Sequence, residues 1–572
     1  MTIRTAAEFE ATRAADEAAV QTLSQDELDW MTPFGDVRTL PAGAVLYGAG
    51  EPSSDFFVVL EGEVEMLRSE GEGDAEVVVV VHGPGRFLGE LNLLTGQRPY
   101  LTARMRRPGR ILVIPPSEFH RLMGSKADLA DVIFNALTAR RAYLSTGEAA
   151  RALRIVGSRY SPDAMALRGF ATHSQVAHTW IDVEDARDVD ALLAEMGLDA
   201  ADLPAVIMAS GVLRRTTPGE FSEQLGLTFR PTPGYLFDLV VVGTGPSGLA
   251  SAVYGASEGL DTLSVDSVAI GGQAGASSRI ENYVGFPNGI SGEDLASRAA
   301  IQAQRLGAKL NAPCRAAKLR PDHGFHVVLL ADGSEIATRA VIIASGARYR
   351  RLDVDGLARF EGAGVYYAAT DLEVKVCDGR DAVVVGGGNS AGQASIYLAQ
   401  QGSPVKLVIR GEDLAKDMSR YLIDRIESDP RIEVLRTTQI RALAGESHLS
   451  TIVLEHTPTA TRRTIACAGL FCFIGAEPAT SWLEGRVALD PDGFVLTDRQ
   501  LPESVLRSTY AARDPFQFET SVMGVFAVGD VRHGSMKRVA AAVGEGSSAV
   551  RSVYDHLATS SGRAATALRP MR

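Results

Sequence analysis

The chain has 572 residues, which at roughly 150 residues per domain implies three or four domains. Apolar residues make up 45%, charged residues 22% and aromatics 6%, a balance that excludes a disordered, collagenous or low-complexity chain. The 57 Lys and Arg against 70 Asp and Glu give a net charge of −13, which argues against nucleic acid or an anionic membrane as the main partner.

No apolar run approaches the ~18 residues of a membrane span. Met1 to Ala19 carries Glu8, Glu10, Asp16 and Glu17 instead of the apolar stretch of a signal peptide, so a cytoplasmic location is expected. Next come short extended runs: Leu40 to Tyr47, Phe56 to Leu60, Val64 to Leu67, Val77 to Val81 and Arg110 to Pro115, with Gly62 and Gly83 between runs. Short strands with glycine turns predict a small barrel or jelly roll over residues 1–147, followed by helix from Pro116 to about Thr146. The run Leu40-Pro41-Ala42-Gly43, then Glu61-Gly62, then Leu88-Gly89-Glu90-Leu91 through Gly96, resembles the cyclic-nucleotide-binding domain of catabolite-activator-type regulators. That resemblance implies a cyclic nucleotide effector, with Glu90 on the ribose hydroxyl, an Arg on the cyclic phosphate, and a pocket of Gly89, Glu90, Arg98 and Thr102. Arg98 stands one residue early, and Tyr100 and Leu101 replace small residues, so cyclic AMP is expected to bind weakly or not at all.

Residues 148–230 alternate strand and helix: Leu153 to Gly157, Asp163 to Thr172, His178 to Val183, Asp188 to Met196 and Ala205 to Met208. The order resembles a glutaredoxin or thioredoxin fold, with Leu203-Pro204 at that family's cis-proline. Ser158 and Ser161 stand where the resemblance expects Cys-x-x-Cys. A hydroxyl cannot cycle through a disulfide, so this domain reads as redox-dead.

From Phe237 the apolar strand Phe237 to Val242 runs into Gly243-Thr244-Gly245-Pro246-Ser247-Gly248 and a helix of small residues. This is G-x-G-x-x-G in strand–loop–helix context, where glycines permit the turn, the approach to a pyrophosphate and close helix packing. Asp266 ends the following strand, at the place of a ribose-binding acid. A second copy, Ala382 to Val385 followed by Gly386-Gly387-Gly388-Asn389-Ser390-Ala391, precedes another helix and strand. Two motifs imply two dinucleotides, read as a flavin and a nicotinamide. The chain then returns with a strand ending in Gly529-Asp530.

These residues resemble the low-molecular-weight thioredoxin reductase family over roughly Phe237 to Leu557, as do Gly271-Gly272-Gln273, Glu281-Asn282-Tyr283, Ala344-Ser345-Gly346 and Lys537-Arg538-Val539. The resemblance implies FAD held by Gly243, Gly245, Pro246, Ser247, Gly248, Asp266, Gly272, Gln273, Asn282, Gly529, Asp530, Lys537, Arg538 and Val539. It implies NADPH or NADH held by Gly386, Gly388, Asn389, Ser390, Ala391 and Arg410. The expected layout is multidomain, with two Rossmann-like α/β domains after the barrel and the thioredoxin-like domain. The FAD domain spans 236–351 and 488–560, the nicotinamide domain 352–487, and a tail 561–572; a homodimer is expected by analogy.

The departure from the family lies at Gly364-Val365-Tyr366-Tyr367-Ala368-Ala369-Thr370-Asp371, where Ala368 and Asp371 replace both redox cysteines. Cys314, Cys377, Cys467 and Cys472 show no C-x-x-C spacing and no zinc pattern, so no metal is expected. The expected function is electron transfer from NAD(P)H through FAD to a small-molecule or small redox-protein acceptor by a route other than the dithiol. The alternatives are literal thioredoxin reduction by another thiol and a non-catalytic flavin or nucleotide sensor. Asp371 is the candidate catalytic residue, as a proton donor or acceptor, or else a helix cap.

Overall fold

A computed structural model describes residues 21–51, 55–69, 76–89, 93, 96–144, 152–174, 176–230, 232, 234–275, 277, 279–322, 324–369, 371–377 and 379–567. The chain divides into two compact units, Met1–Ser158 with Leu167–Thr228, and Arg159–Ala166 with Phe229–Arg572.

In the first unit, eight strands form two antiparallel sheets: β1 (Asp36–Leu40), β2 (Val45–Tyr47), β3 (Phe56–Val59), β4 (Glu63–Ser69), β5 (Glu76–His82), β6 (Phe87–Leu88), β7 (Thr102–Arg107) and β8 (Gly109–Ile114). Their orders are β1-β8-β3-β6 and β2-β7-β4-β5. Strand β3 reads Phe-Phe-Val-Val and is buried at all four positions. The helical stretch expected from Pro116 to about Thr146 is two helices, Pro116–Ser125 and Ala127–Leu144. Tyr47, Phe57, Leu88, Tyr100, Leu101 and Met105 fill the core between the sheets, and Ala152 and Ala177 complete it.

The same unit holds β9 (Arg154–Gly157), β10 (Thr179–Asp182), β11 (Ala205–Met208) and β12 (Gly211–Leu213), ordered β10-β9-β11-β12. β10 runs parallel to β9, and β11 antiparallel to both of its neighbours. The Leu203–Pro204 peptide is cis.

The second unit carries two parallel-centred sheets. The first is built on β13 (Leu236–Val242), β14 (Thr262–Val265), β15 (Lys309–Asn311), β16 (Ala316–Asp322), β17 (Phe325–Leu330) and β18 (Glu335–Ile343). β13 lies parallel between β14 and β18, and its near-continuous burial is that of a strand covered on both faces. Next come β19 (Ala347–Tyr349), β20 (Val365–Tyr366), β21 (Ala382–Val385), β22 (Val405–Val408), β23 (Ile432–Leu435), the meander β24 (Thr438–Gly445), β25 (Leu449–His456) and β26 (Thr461–Ala466), then β27 (Gly469–Cys472), β28 (Ala476–Pro478) and β29 (Val525–Ala527). β20-β27-β21-β22-β23 is an all-parallel second sheet, and β29 returns to pair with β18 of the first.

β19 and β28 form an antiparallel ribbon where the chain leaves the first sheet and comes back to it. The return therefore falls at 476–478, ahead of the expected boundary at 487, because Leu483 and Val487 are already buried in the core of the first sheet. The last helix, Val539–Ala567, continues into the stretch expected as a tail at 561–572, up to the end of the described residues. It packs on the helix Pro246–Ser257 at Gly546, where a Cβ would lie 2.1 Å from the Ser247 carbonyl oxygen. Among the described residues no helix is long and apolar enough to cross a membrane.

Candidate active site

β13 ends at Gly243, whose φ is +117° and whose Cβ would lie 2.1 Å from the Ala344 carbonyl oxygen. Only glycine meets both demands. The helix Pro246–Ser257 then starts at Gly245 with no side-chain cap, leaving first-turn amides without an intrahelical partner. A Cβ on Gly245 would meet only the Gly272 Cα, at 4.0 Å. Free amides at the positive end of a helix dipole, over open space, suit a pyrophosphate.

Asp266 sits beside this turn. Its carboxylate accepts from the Thr244 amide at 2.8 Å, the Thr244 hydroxyl at 3.0 Å and the Val268 amide at 3.0 Å. Burial raises its pKa against these hydrogen bonds. At the far end of the cradle the Gly529 amide donates to Glu545 at 2.7 Å, and Arg532 holds both oxygens of the same Glu545. The Asp530 carboxyl is raised by burial, opposed by Lys537, whose ammonium donates to the Asp530 carbonyl. Arg538 donates to the Lys537 carbonyl at 2.9 Å, and Val539 opens the last helix. Ser247 is buried against Gly529, and Gln273 donates to the Ala347 carbonyl. Asn282 is exposed. Its neighbour Glu281 is bound through both oxygens by Arg425 of the second sheet's domain, at 3.0 Å each.

The second cradle repeats the first. Gly386 has φ +144°, and its Cβ would lie 2.2 Å from the Phe473 carbonyl oxygen. The helix Asn389–Gln400 starts at Gly388 without a side-chain cap, and Gly387 faces open space. Ala391 is buried and Ser390 exposed. The Asn389 side chain donates to the Ser419 hydroxyl at 2.9 Å and accepts from the Ser419 amide at 2.7 Å, fixing the start of the helix Arg420–Ser428. Arg410, just beyond β22, is exposed. Arg420, the first residue of that helix, is held by Asp424 at 2.7 Å.

Between the cradles lies the segment that replaces the dithiol. Ala369 bridges to Ser277, next to the Gly272–Gly275 turn. Asp371 opens the helix Asp371–Cys377; its side chain, like Thr370, lies outside the described residues. Three aromatic rings gather here. Tyr349 on β19 lies 6.4 Å from Tyr367 with planes 12° apart, and 6.1 Å from Phe473 at 89°. The Tyr367 hydroxyl donates to Glu361 at 2.6 Å, and Arg351 holds the same carboxylate. Burial and the nearby Asp530 carboxylate push the Tyr349 phenol up to about 12. Cys377, Cys467 and Cys472 are all buried, and burial raises each thiol, Cys377 and Cys472 to about 12. They stay protonated near neutral pH, and the thiol form is the unreactive one.

A family model for pyridine nucleotide-disulphide oxidoreductases matches residues 237–546, more than half the chain and the whole span of both cradles. The chain belongs to this family. Thioredoxin reductase of Treponema pallidum (strain Nichols) is 31% identical over 328 residues, covering 56% of this chain and 98% of that protein. The 34.2 kDa protein in the rubredoxin operon of Clostridium pasteurianum is 30% identical over 314 residues, 54% of this chain and 93% of that protein. Among solved structures, thioredoxin reductase of Lactococcus lactis aligns with a TM-score of 0.50 and 26% identity, over 56% of this chain and 99% of that one. The pyridine nucleotide-disulphide oxidoreductases of this thioredoxin reductase branch use FAD and NADPH, and the two cradles fit two dinucleotides. Two ion pairs and one aromatic ring of this region are set by tertiary contact. The Arg532–Glu545 pair joins residues 13 apart and is the most legible of them. Arg425–Glu281 joins residues 144 apart, and Tyr349 carries no motif of its own.

A cyclic nucleotide-binding domain model matches residues 37–126. Gly89 has φ +122°, and its Cβ would lie 3.0 Å from the Asp55 carbonyl oxygen; Glu90 lies outside the described residues. The Thr102 hydroxyl accepts from the Ala49 amide at 3.2 Å. Arg98 is fixed by residues 225–226. Its amide donates to the Leu225 carbonyl at 2.7 Å, and its side chain packs on Gly226, while Tyr100 and Leu101 are buried in the core. In the next domain Ser158 donates to Glu184, and the Ser161 hydroxyl accepts from the Ala164 amide at 3.3 Å, a helix-capping bond.

Proposed function

We propose that this oxidoreductase passes electrons from NAD(P)H to an acceptor that meets the flavin site directly, without a dithiol relay. One observation carries the reading. The segment beside the flavin cradle presents Tyr367, Ala368 and Ala369, and the three cysteines of that domain are buried protonated thiols. Disulfide exchange needs an attacking thiolate and a resolving thiol, and neither is present there.

Bound in the first cradle, FAD would supply the two-electron chemistry. The chain's residues act by placement. Gly245 and the helix start behind it hold the phosphates, Asp266 orders the turn through Thr244, and Asp530 belongs to the turn that follows β29. In the second cradle Gly387 and Gly388 leave room for the nicotinamide phosphates. Arg410 offers a guanidinium to a 2′-phosphate, which favours NADPH over NADH. Asp371 either caps its helix or carries a proton near the reacting ring.

The domain around β9–β12 reads as thioredoxin-like without redox cysteines, and its two serines serve as hydrogen-bonding groups. The barrel reads as a cyclic-nucleotide-type domain that binds cyclic AMP weakly, since Arg98 is held on residues 225–226. A cytoplasmic homodimer completes the reading.

Anaerobic titration of the purified holoprotein with NADPH and NADH tests the proposal. Bleaching of the flavin within seconds, with no turnover of thioredoxin, is the expected result. Thioredoxin turnover that vanishes in Cys377→Ser would overturn it in favour of a thiol route, and absence of bleaching by either nucleotide would favour a sensor.

A further inference from the structure

We propose that Tyr349, Tyr367 and Phe473 form the seat of a planar aromatic acceptor of the quinone class, with the Tyr349 hydroxyl as donor to a quinone carbonyl. This rests on the direct-acceptor reading above and names its substrate.

The first support is position. Tyr349 lies on the ribbon that joins the two dinucleotide domains. It is close enough to Asp530 of the flavin cradle for that charge to act on its phenol. Its other neighbour, Phe473, has the carbonyl that crowds Gly386 of the nicotinamide cradle. Tyr349 thus stands between the two cradles, and the ribbon is tied to the flavin turn through Gln273 on the Ala347 carbonyl. The loop bearing Tyr367 is tied there too, through the Ala369–Ser277 bridge.

The second support is the state of the rings. Tyr349, Tyr367 and Phe473 are each half-buried. Tyr349 and Tyr367 share an orientation to within 12°, so a flat ring laid on one lies parallel to the other, while Phe473 meets Tyr349 edge-on. Offset-stacked and edge-to-face contacts are the two arrangements aromatic rings prefer. The ring of Tyr367 is held in place by its hydroxyl on Glu361, itself fixed by Arg351.

The third support is hydrogen bonding. Among the described residues the Tyr349 hydroxyl has no hydrogen-bond partner, and with its pKa pushed up to about 12 it remains a phenol, a donor, throughout the neutral range. A quinone carbonyl is an acceptor. Ala368 puts a methyl group where the resemblance places the first thiol, so no sulfur at that position competes for the acceptor. The net reaction balances: NAD(P)H and one proton reduce one quinone to the quinol. The nicotinamide C–H bond breaks, two electrons and two protons pass to the quinone oxygens, and NAD(P)⁺ leaves.

The test uses the full-length holoprotein and menadione as the quinone. Without nicotinamide, menadione is titrated against the quenching of flavin fluorescence, which reads binding alone. Tyr349→Leu is expected to raise the menadione Kd about tenfold, from the loss of stacking and of one hydrogen bond. Tyr367→Leu is expected to raise it several-fold, and Tyr349→Phe about fivefold, through the lost hydroxyl alone. In turnover the same substitutions raise KM for menadione more than they lower kcat. An unchanged Kd in both leucine variants overturns the proposal, and an unchanged Kd in Tyr349→Phe alone removes the hydroxyl from it. If wild-type protein binds menadione but no nicotinamide bleaches its flavin, the direct-transfer reading fails while the binding result still decides the seat.

Discussion

The two dinucleotide cradles share a backbone and differ in everything around it. Both place glycine at a positive φ against a carbonyl oxygen, and both start a helix with no side-chain cap. Around the first, the polar groups are bound inward: Asp266 is ordered by Thr244 and Val268, and Glu545 binds Gly529 and Arg532. Around the second, Ser390 and Arg410 are exposed, and the Asn389 side chain is fixed on Ser419 at the start of a neighbouring helix. A cradle enclosed by its own hydrogen bonds suits a group that stays, and an open one suits a nucleotide that must leave after each cycle.

The largest expected effect separates the cradles outright. Gly243→Ala forces a Cβ onto the Ala344 carbonyl and Gly386→Ala forces one onto the Phe473 carbonyl, each also straining a positive φ, for a cost of at least about 3 kcal/mol. Gly243→Ala is expected to purify without flavin. Gly386→Ala keeps its flavin but is no longer bleached by either nicotinamide. Equal flavin loss in both variants would break the comparison. Asp530→Ala is expected to lose roughly 1.5–3 kcal/mol of flavin affinity, a ten- to hundredfold rise in the Kd read by equilibrium dialysis; stoichiometric flavin at low micromolar protein would contradict it.

Acid should act on the enclosed regions. His326 beside the first sheet is pushed down to about 4, chiefly by burial and then by the nearby His556, and His82 in the barrel to about 3 by burial and Arg140. Both folded values lie below the unfolded 6.5, so the unfolded chain binds more protons in that window. Stability then falls as pH drops below 6.5, by up to about 1.4 kcal/mol per pH unit for each histidine. The urea midpoint should drop between pH 7 and pH 5, and His82→Gln should flatten that drop; an identical drop in the variant would remove His82 as a source.

Two smaller effects address the open cradle and the lost dithiol. Arg410→Ala should raise KM for NADPH about tenfold, near 1.4 kcal/mol, and leave KM for NADH unchanged. Asp371→Asn should change stability by less than about 0.5 kcal/mol, since Asn caps a helix nearly as well as Asp. A shifted pH profile of flavin reoxidation in that variant would assign Asp371 a proton, and an unchanged one leaves it a cap.

The sequence by itself determined the elements and both cradles. Strand, glycine turn and helix are dictated locally, by apolar runs, by positions that admit no Cβ and by helix starts without a cap, so Gly243, Gly248 and Gly386 were legible. The replacement of both redox cysteines at 368 and 371 was legible too, being a matter of residue identity. Tertiary structure alone decided what those residues touch. The Arg98 amide on Leu225 and the Asn389 side chain on Ser419 are contacts that no motif announces. Arg425 and Glu281 are 144 residues apart, and Tyr349, Tyr367 and Phe473 come from three separate segments. Contacts of that kind arise when strands from distant parts of the chain are brought side by side, and no local periodicity records which side chains then meet.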